Sequence, residues 1–164
     1  MTVAEVGSSI ITELRHRDQT LATAESLTGG MVGALLTDIP GSSESYLGGV
    51  ITYATRLKAT LAGVDGSTLA ALGPVAARTA AEMARGIAAK CGADWGVATT
   101  GVAGPESQDG HPVGQVYVAV SHQGGDPLLV KELALQGERA EIRRQAVSAA
   151  LELLADVLGL NRPA

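Results

Sequence analysis

Strand-like and helix-like runs take turns along this chain, and that alternation limits the fold more than any single residue does. Ala4 to Arg17 reads as a helix, with Val6, Ile10 and Leu14 on one face. LATAES reads as a strand ending near Ser26, and Met31 to Ile39 as a helix closed by Pro40-Gly41. GGVITY reads as a second strand ending near Tyr53, and ATRLKATLAGV turns helical. After a turn at Gly63 to Gly66, Ser67 to Leu72 reads as a short helix capped by Ser67, and Gly73-Pro74 breaks it. Ala76 to Cys91 is an Ala-rich helix stopped at Gly92, and WGVATT is a third strand ending near Thr100. A glycine- and proline-rich loop, GVAGPESQDGHP, follows. VGQVYVAVSH and LLVKELAL then form a hairpin across QGGDP, and Arg139 to Leu158 is the last helix, preceded by Gly137. Interleaved helices and strands with one late hairpin predict an α/β fold. The expected form is a three-layer α/β/α sandwich on a mixed, mostly parallel sheet.

The 164 residues suit one domain, expected to span 1–164. Aromatics are 2% and Phe is absent, so the core is built from Ala, Val, Leu and Ile, and 21 glycines imply many tight turns. The net charge of -5, with no cluster of Lys or Arg, argues against nucleic acid as a partner. It leaves room for a small anionic ligand held by one or two arginines. One cysteine, Cys91, permits no internal disulfide and fits a cytoplasmic setting. The N-terminus lacks the basic start and apolar stretch of a secretory signal. No apolar run approaches the ~20 residues a membrane helix needs, so no membrane partner is expected.

Three apolar strands each run into a polar, glycine-rich motif: Ser26 with LTGG, Tyr53 and Lys58 in TYATRLK, and Thr100 in TTGVAGP. Ligands of open α/β sheets gather at the carboxyl ends of strands, so parallel neighbours would bring all three motifs to one cleft. At Ser26 the N–H groups of Leu27, Thr28, Gly29 and Gly30 can face an anion or oxyanion; equally, Ser26 or Thr28 can serve only as a helix cap. Lys58, facing a partly closed apolar cleft, would lose solvation and become a base for a serine; the plain alternative is a solvated surface lysine. Tyr53 can donate a hydrogen bond in the cleft or hold its hydroxyl in water. Gly101 and Gly104 allow close approach of backbone to a ligand, or form an ordinary turn. Arg139, Arg143 and Arg144 open the last helix against its macrodipole, which suits phosphate pairing or a solvated surface.

Neither a P-loop nor G-x-G-x-x-G occurs, Ser26 is not in a G-x-S-x-G elbow, and no serine has a lysine three residues on. His16, His111 and His122 lack ligand spacing, so neither metal nor cofactor is expected, and a lysine becomes the natural base for a serine.

Four segments carry a specific resemblance: AESLTGG, GSSESYLGGVITYATRLKATLAGV, TTGVAGPESQDGHPVGQVYVAV and GERAEIRRQAVSAALELL. In order and spacing they resemble the CinA C-terminal domain family over nearly the whole chain. The resemblance implies a nicotinamide-nucleotide amidase, which converts nicotinamide mononucleotide to nicotinate mononucleotide and ammonia. It implies Ser26 as nucleophile, Lys58 as its partner and Tyr53 as the tyrosine of the same motif. Substrate contacts are implied at Leu27, Thr28, Gly29, Gly30, Gly49, Thr100, Gly101 and Gly104. Arg139 and Arg143 are implied to hold the nucleotide, with Arg143 foremost for the phosphate. A three-layer α/β/α fold and a homo-oligomer are implied as well.

Ala76, the short ESQDGH loop with His111, and Glu138 before Arg139 depart from the family pattern. They leave the serine and lysine in place but touch regions that set substrate range. The large N-terminal domain of many relatives is not seen, as expected of a stand-alone form. A non-catalytic nucleotide-binding module with a competence- or DNA-damage-related partner is the rival reading, and an amidase for another pyridine or nucleotide amide is a third.

Overall fold

Thr2 starts the first helix with a reciprocal cap: its hydroxyl accepts the Glu5 N–H, and the Glu5 carboxylate accepts its N–H. The computed structural model describes residues 1–161. In chain order it comprises α1 (Val3–His16), β1 (Leu21–Glu25), α2 (Met31–Thr37), a 3-10 turn (Ser42–Glu44) and β2 (Tyr46–Ile51). Then come α3 (Thr55–Ala62), α4 (Gly66–Leu72), α5 (Ala77–Cys91), β3 (Trp95–Gly101), β4 (Gln115–His122), β5 (Gly125–Ala134) and α6 (Arg139–Leu158). The five strands form one mixed sheet in the order β2-β1-β3-β4-β5. β1 pairs parallel with both β2 and β3, while β4 is antiparallel to both its neighbours. Four of the five strands therefore point the same way, as expected of a mixed, mostly parallel sheet.

Two apolar clusters cover the two faces, completing the three-layer α/β/α sandwich. One joins α1, α2 and α6 to β3 and β4 through Ile10, Leu14, Leu36, Val97, Val118, Ile142 and Leu151. The other packs α5 on β1, β3 and β4 through Ala80, Met83, Ala84, Ala22, Ala98 and Ala119. The second face is lined mostly by small residues. A Cβ on Gly96 of β3 would lie 1.9 Å from the Ala84 carbonyl oxygen of α5, and one on Gly86 of α5 would lie 1.7 Å from that of Ala62 at the end of α3. Small residues let the backbones approach this closely.

Three expectations from the sequence are corrected. Asp65, not Ser67, caps α4: its carboxylate accepts the Ser67 N–H at 2.9 Å, and the helix begins at Gly66. β2 lies two residues earlier than GGVITY, so Thr52 and Tyr53 are past its end. β5 begins at Gly125 because the hairpin turns within Gln123 and Gly124, pairing His122 with Gly125.

Candidate active site

The carboxyl ends of β1, β2 and β3 are neighbours, so the chain segments leaving them meet over one edge of the sheet. Ser26 leaves β1 with its N–H bonded to the Thr99 carbonyl of β3 at 3.0 Å, which aims the residue across the strand ends. Lys58 sits in α3 and turns inward with 1% of its surface exposed, while Ser26 is 7% exposed. Lys58 Nζ lies 3.0 Å from Ser26 Oγ, 2.7 Å from the Thr52 carbonyl oxygen and 3.5 Å from that of Tyr53. Desolvation lowers the Lys58 pKa from 10.5 to about 8. A neutral lysine amine has two N–H bonds and one lone pair. With the carbonyls of Thr52 and Tyr53 as acceptors, the lone pair is left for the Ser26 hydroxyl. The pair can therefore move a proton from oxygen to nitrogen without rearrangement.

Ser26, Leu27, Tyr53, Lys58, Thr100, Gly101 and Arg139 line one cleft, joined by Thr55, Pro74, Val75, Ala103 and Gln108. Arg139 reaches over from the start of α6. It donates to the Tyr53 hydroxyl at 3.1 Å and to the Gly104 carbonyl, which ties three elements together at the rim. Tyr53 is 61% exposed, so its ring marks the cleft's open side. Thr100 donates its hydroxyl to the Pro74 carbonyl at 2.6 Å, tying together two residues of the cleft wall. A Cβ on Gly101 would meet the Gln115 carbonyl oxygen at 2.6 Å, so the bare backbone there is a packing requirement. Among the described residues, no group of three or more His, Cys, Asp or Glu is placed to hold a metal ion.

A family model described as the CinA C-terminal domain matches residues 3–158. The chain belongs to that family. It is 46% identical to a CinA-like protein of Frankia casuarinae over 88% of this chain and 33% of the relative. It is 47% identical to another from Synechococcus sp., over 91% of this chain and 36% of the relative. The chain thus spans about a third of the length of these curated relatives. Solved structures match it over nearly their whole length. A competence/damage inducible protein from Agrobacterium tumefaciens superposes with a TM-score of 0.90 at 36% identity, covering 98% of this chain and 96% of that one. The competence damage-inducible protein A of Klebsiella pneumoniae superposes at 0.92 with 32% identity, covering 99% and 100%.

In this CinA C-terminal domain, several residues expected at the site are arranged differently from the expectation. The turn after Ser26 is not an open cradle of four N–H groups. The Gly29 N–H is bonded to the Ser26 carbonyl at 3.0 Å, and the Gly30 N–H to the Glu25 carboxylate at 3.2 Å. Among the described residues, only the Leu27 and Thr28 N–H groups of that turn are unengaged. The Thr28 hydroxyl is buried between the Glu25 carboxylate at 2.6 Å and the Thr99 hydroxyl at 2.8 Å. Gly49 lies outside the cleft, packed on Thr23 of β1, whose carbonyl oxygen a Cβ would meet at 2.4 Å. Arg143 also misses the cleft lining: it donates to the carbonyls of Leu27 at 2.8 Å and Thr28 at 3.4 Å and so braces the turn from behind. Residues the sequence did not single out include Glu25, Thr52, Thr99 and Gln108. Within the ESQDGH loop it is Gln108 that lines the cleft, while His111 pairs with Gln115 at 2.9 Å.

Proposed function

We propose that this domain hydrolyses the carboxamide of nicotinamide mononucleotide to nicotinate mononucleotide and ammonia, with Ser26 as nucleophile and Lys58 as base. The observation that carries this reading is the 3.0 Å approach of a desolvated lysine to a serine hydroxyl in a cleft. Neutral Lys58 takes the Ser26 proton as Oγ attacks the carboxamide carbon. The oxyanion is assigned to the N–H groups of Leu27 and Thr28. The carbon–nitrogen bond then breaks, and protonated Lys58 gives its proton to the leaving nitrogen, which departs as ammonia. Water, deprotonated by Lys58, attacks the ester carbonyl; the bond from that carbon to Ser26 Oγ breaks, protonated Lys58 returns its proton to Oγ, and the acid product loses its proton to solvent as the carboxylate. Arg139 at the rim is the cation assigned to the phosphate, far enough from the reacting carbon to orient the amide through binding energy. The reading includes a homo-oligomer in the cytoplasm. Exposed Leu47 and Ile51 on the edge strand β2 are apolar surface that such an assembly would cover, and sedimentation reads its size.

The test is ammonia release from nicotinamide mononucleotide by wild type, Ser26→Ala, Lys58→Met and the double variant, with thermal melts to check folding. Each single change is expected to remove nearly all the rate, on the order of 10² to 10⁴ or more, and the double change little beyond that. Wild-type release is expected to survive exhaustive chelation. Additive losses would separate Lys58 from Ser26, and a near-normal Ser26→Ala would end the covalent mechanism. Nucleotide binding without turnover by wild type would favour the non-catalytic module.

A further inference from the structure

The proposed chemistry uses Ser26 and Lys58 but leaves their buried neighbour Glu25 without a task. Glu25 ends β1 with 3% of its surface exposed. Burying a carboxylate is costly unless donors surround it. No basic side chain lies in ion-pair range of this one among the described residues. Its donors come from the turn and helix that follow Ser26. Oε1 accepts from the Thr28 hydroxyl at 2.6 Å, the Gly30 N–H at 3.2 Å and the Val32 N–H at 2.9 Å, and Oε2 accepts from the Gly33 N–H at 3.1 Å. Thr28 continues to the Thr99 hydroxyl at 2.8 Å, and the Thr99 carbonyl receives the Ser26 N–H. The serine is thus enclosed by a ring of bonds that begins and ends beside it. The Glu25 main chain reaches the other partner: its carbonyl accepts the Thr52 N–H at 2.7 Å, and the Thr52 carbonyl holds Lys58 Nζ.

We infer that Glu25 is a positioning residue for the Ser26–Lys58 pair, its carboxylate taking the place of a ligand anion at the start of α2 and locking the turn from Ser26 to Gly30. The inference rests on the amidase reading and deepens it. With N–H groups of Gly30, Val32 and Gly33 consumed internally, the turn keeps only those of Leu27 and Thr28 for the oxyanion. It has no vacancy for a phosphate. The substrate's phosphate is thereby excluded from the nucleophile turn and directed to the part of the rim where Arg139 stands beside Tyr53.

Two variants test this, with melts to establish the folded fraction. Glu25→Ala removes all four bonds. Glu25→Gln keeps the shape and one acceptor oxygen but turns an NH₂ group toward a donor. Kinetics on nicotinamide mononucleotide are compared with the rate at which a fluorophosphonate labels Ser26. Glu25→Ala is expected to lower kcat about 100-fold or more and Glu25→Gln about 10-fold, with KM within about threefold and labelling slowed in parallel. A general loss of stability would reduce the number of labelled molecules, not the rate for each. A kcat within about twofold of wild type in folded Glu25→Gln overturns the inference, as does a rise in KM at unchanged kcat. If wild type releases no ammonia, the amidase reading fails by itself. Labelling alone then decides the role of Glu25: slowed labelling in the variants upholds it, and equal rates overturn it.

Discussion

A lysine in water keeps its proton well above neutral pH, and Lys58 is almost entirely buried. Burial lowers its pKa to about 8, which has a direct kinetic consequence. Below that pH the amine is protonated and cannot accept the serine proton; above it the lone pair is free. The expected kcat/KM falls about tenfold per unit below the limb and levels off above it. A flat profile across the limb would mean that Lys58 is not the base. Arg139 and Arg143 of α6 are expected to behave differently. Arg139 lines the cleft, so Arg139→Ala is expected to cost about 2 kcal/mol in kcat/KM for the mononucleotide and little for the riboside. Arg143 braces the Leu27 carbonyl, so Arg143→Ala is expected to slow both substrates alike. Equal behaviour of the two variants would end this division. The meeting of Ser26, Lys58 and Tyr53 in one cleft was legible in the sequence because Ser26 and Tyr53 follow strand ends and Lys58 lies in the next helix, all within recognisable motifs. Glu25 was not, since inside LATAES it reads as one more strand residue, and its donors lie three to eight positions on. Arg139 and Arg143 are one turn apart, and sequence cannot say which faces the cleft.

At the scale of elements, Lys58 is only as well placed as α3, and α3 is placed by α5. Gly86 of α5 lies under the Ala62 carbonyl at the end of α3, four residues beyond Lys58. Gly86→Ala would force its methyl group into that oxygen and push the two helices apart. The expected cost is about 1–3 kcal/mol in stability, together with a loss of ammonia release at temperatures where the variant stays folded. Gly66→Ala is the control, because nothing lies within 4 Å of a Cβ there, so stability is expected to stay level or rise slightly. Normal activity in Gly86→Ala would show that α3 is held elsewhere. Alternation of periods revealed every helix and strand of this frame, and the convergence of three strand ends followed if those strands were parallel neighbours. The order β2-β1-β3 supplies that condition, and it is a tertiary fact. The tight contacts at Gly86 and Gly96 were hidden for the same reason, since a glycine inside a helix or strand does not name the neighbour that requires it. The cap of α4 was misplaced because Asp65 and Ser67 are both good caps, and only the path of the backbone chooses between them.

For the whole molecule, the buried lysine is a standing cost. The folded state holds the Lys58 proton with a pKa of about 8, whereas an unfolded chain would hold it near 10.5. Between these values the unfolded state binds more protons, so stability from this group rises with pH across the window. Below about pH 8 the charge must be buried or given up, and the fold bears the full penalty. In the wild type, raising pH from about 7 to about 9.5 is expected to recover about 2 kcal/mol from this one residue. Lys58→Met has no such group, although it leaves the carbonyls of Thr52 and Tyr53 without their donor. That loss is the same at every pH, and other titrating groups act on both proteins alike. The difference between the two stabilities therefore isolates the lysine. Urea unfolding of both at the two pH values measures it, and the gap should move toward the wild type by about that amount as pH rises. An unchanged gap would mean that Lys58 titrates normally in the folded protein. Its approach to Ser26 would then be an ammonium donating to a hydroxyl, and the serine would need another base.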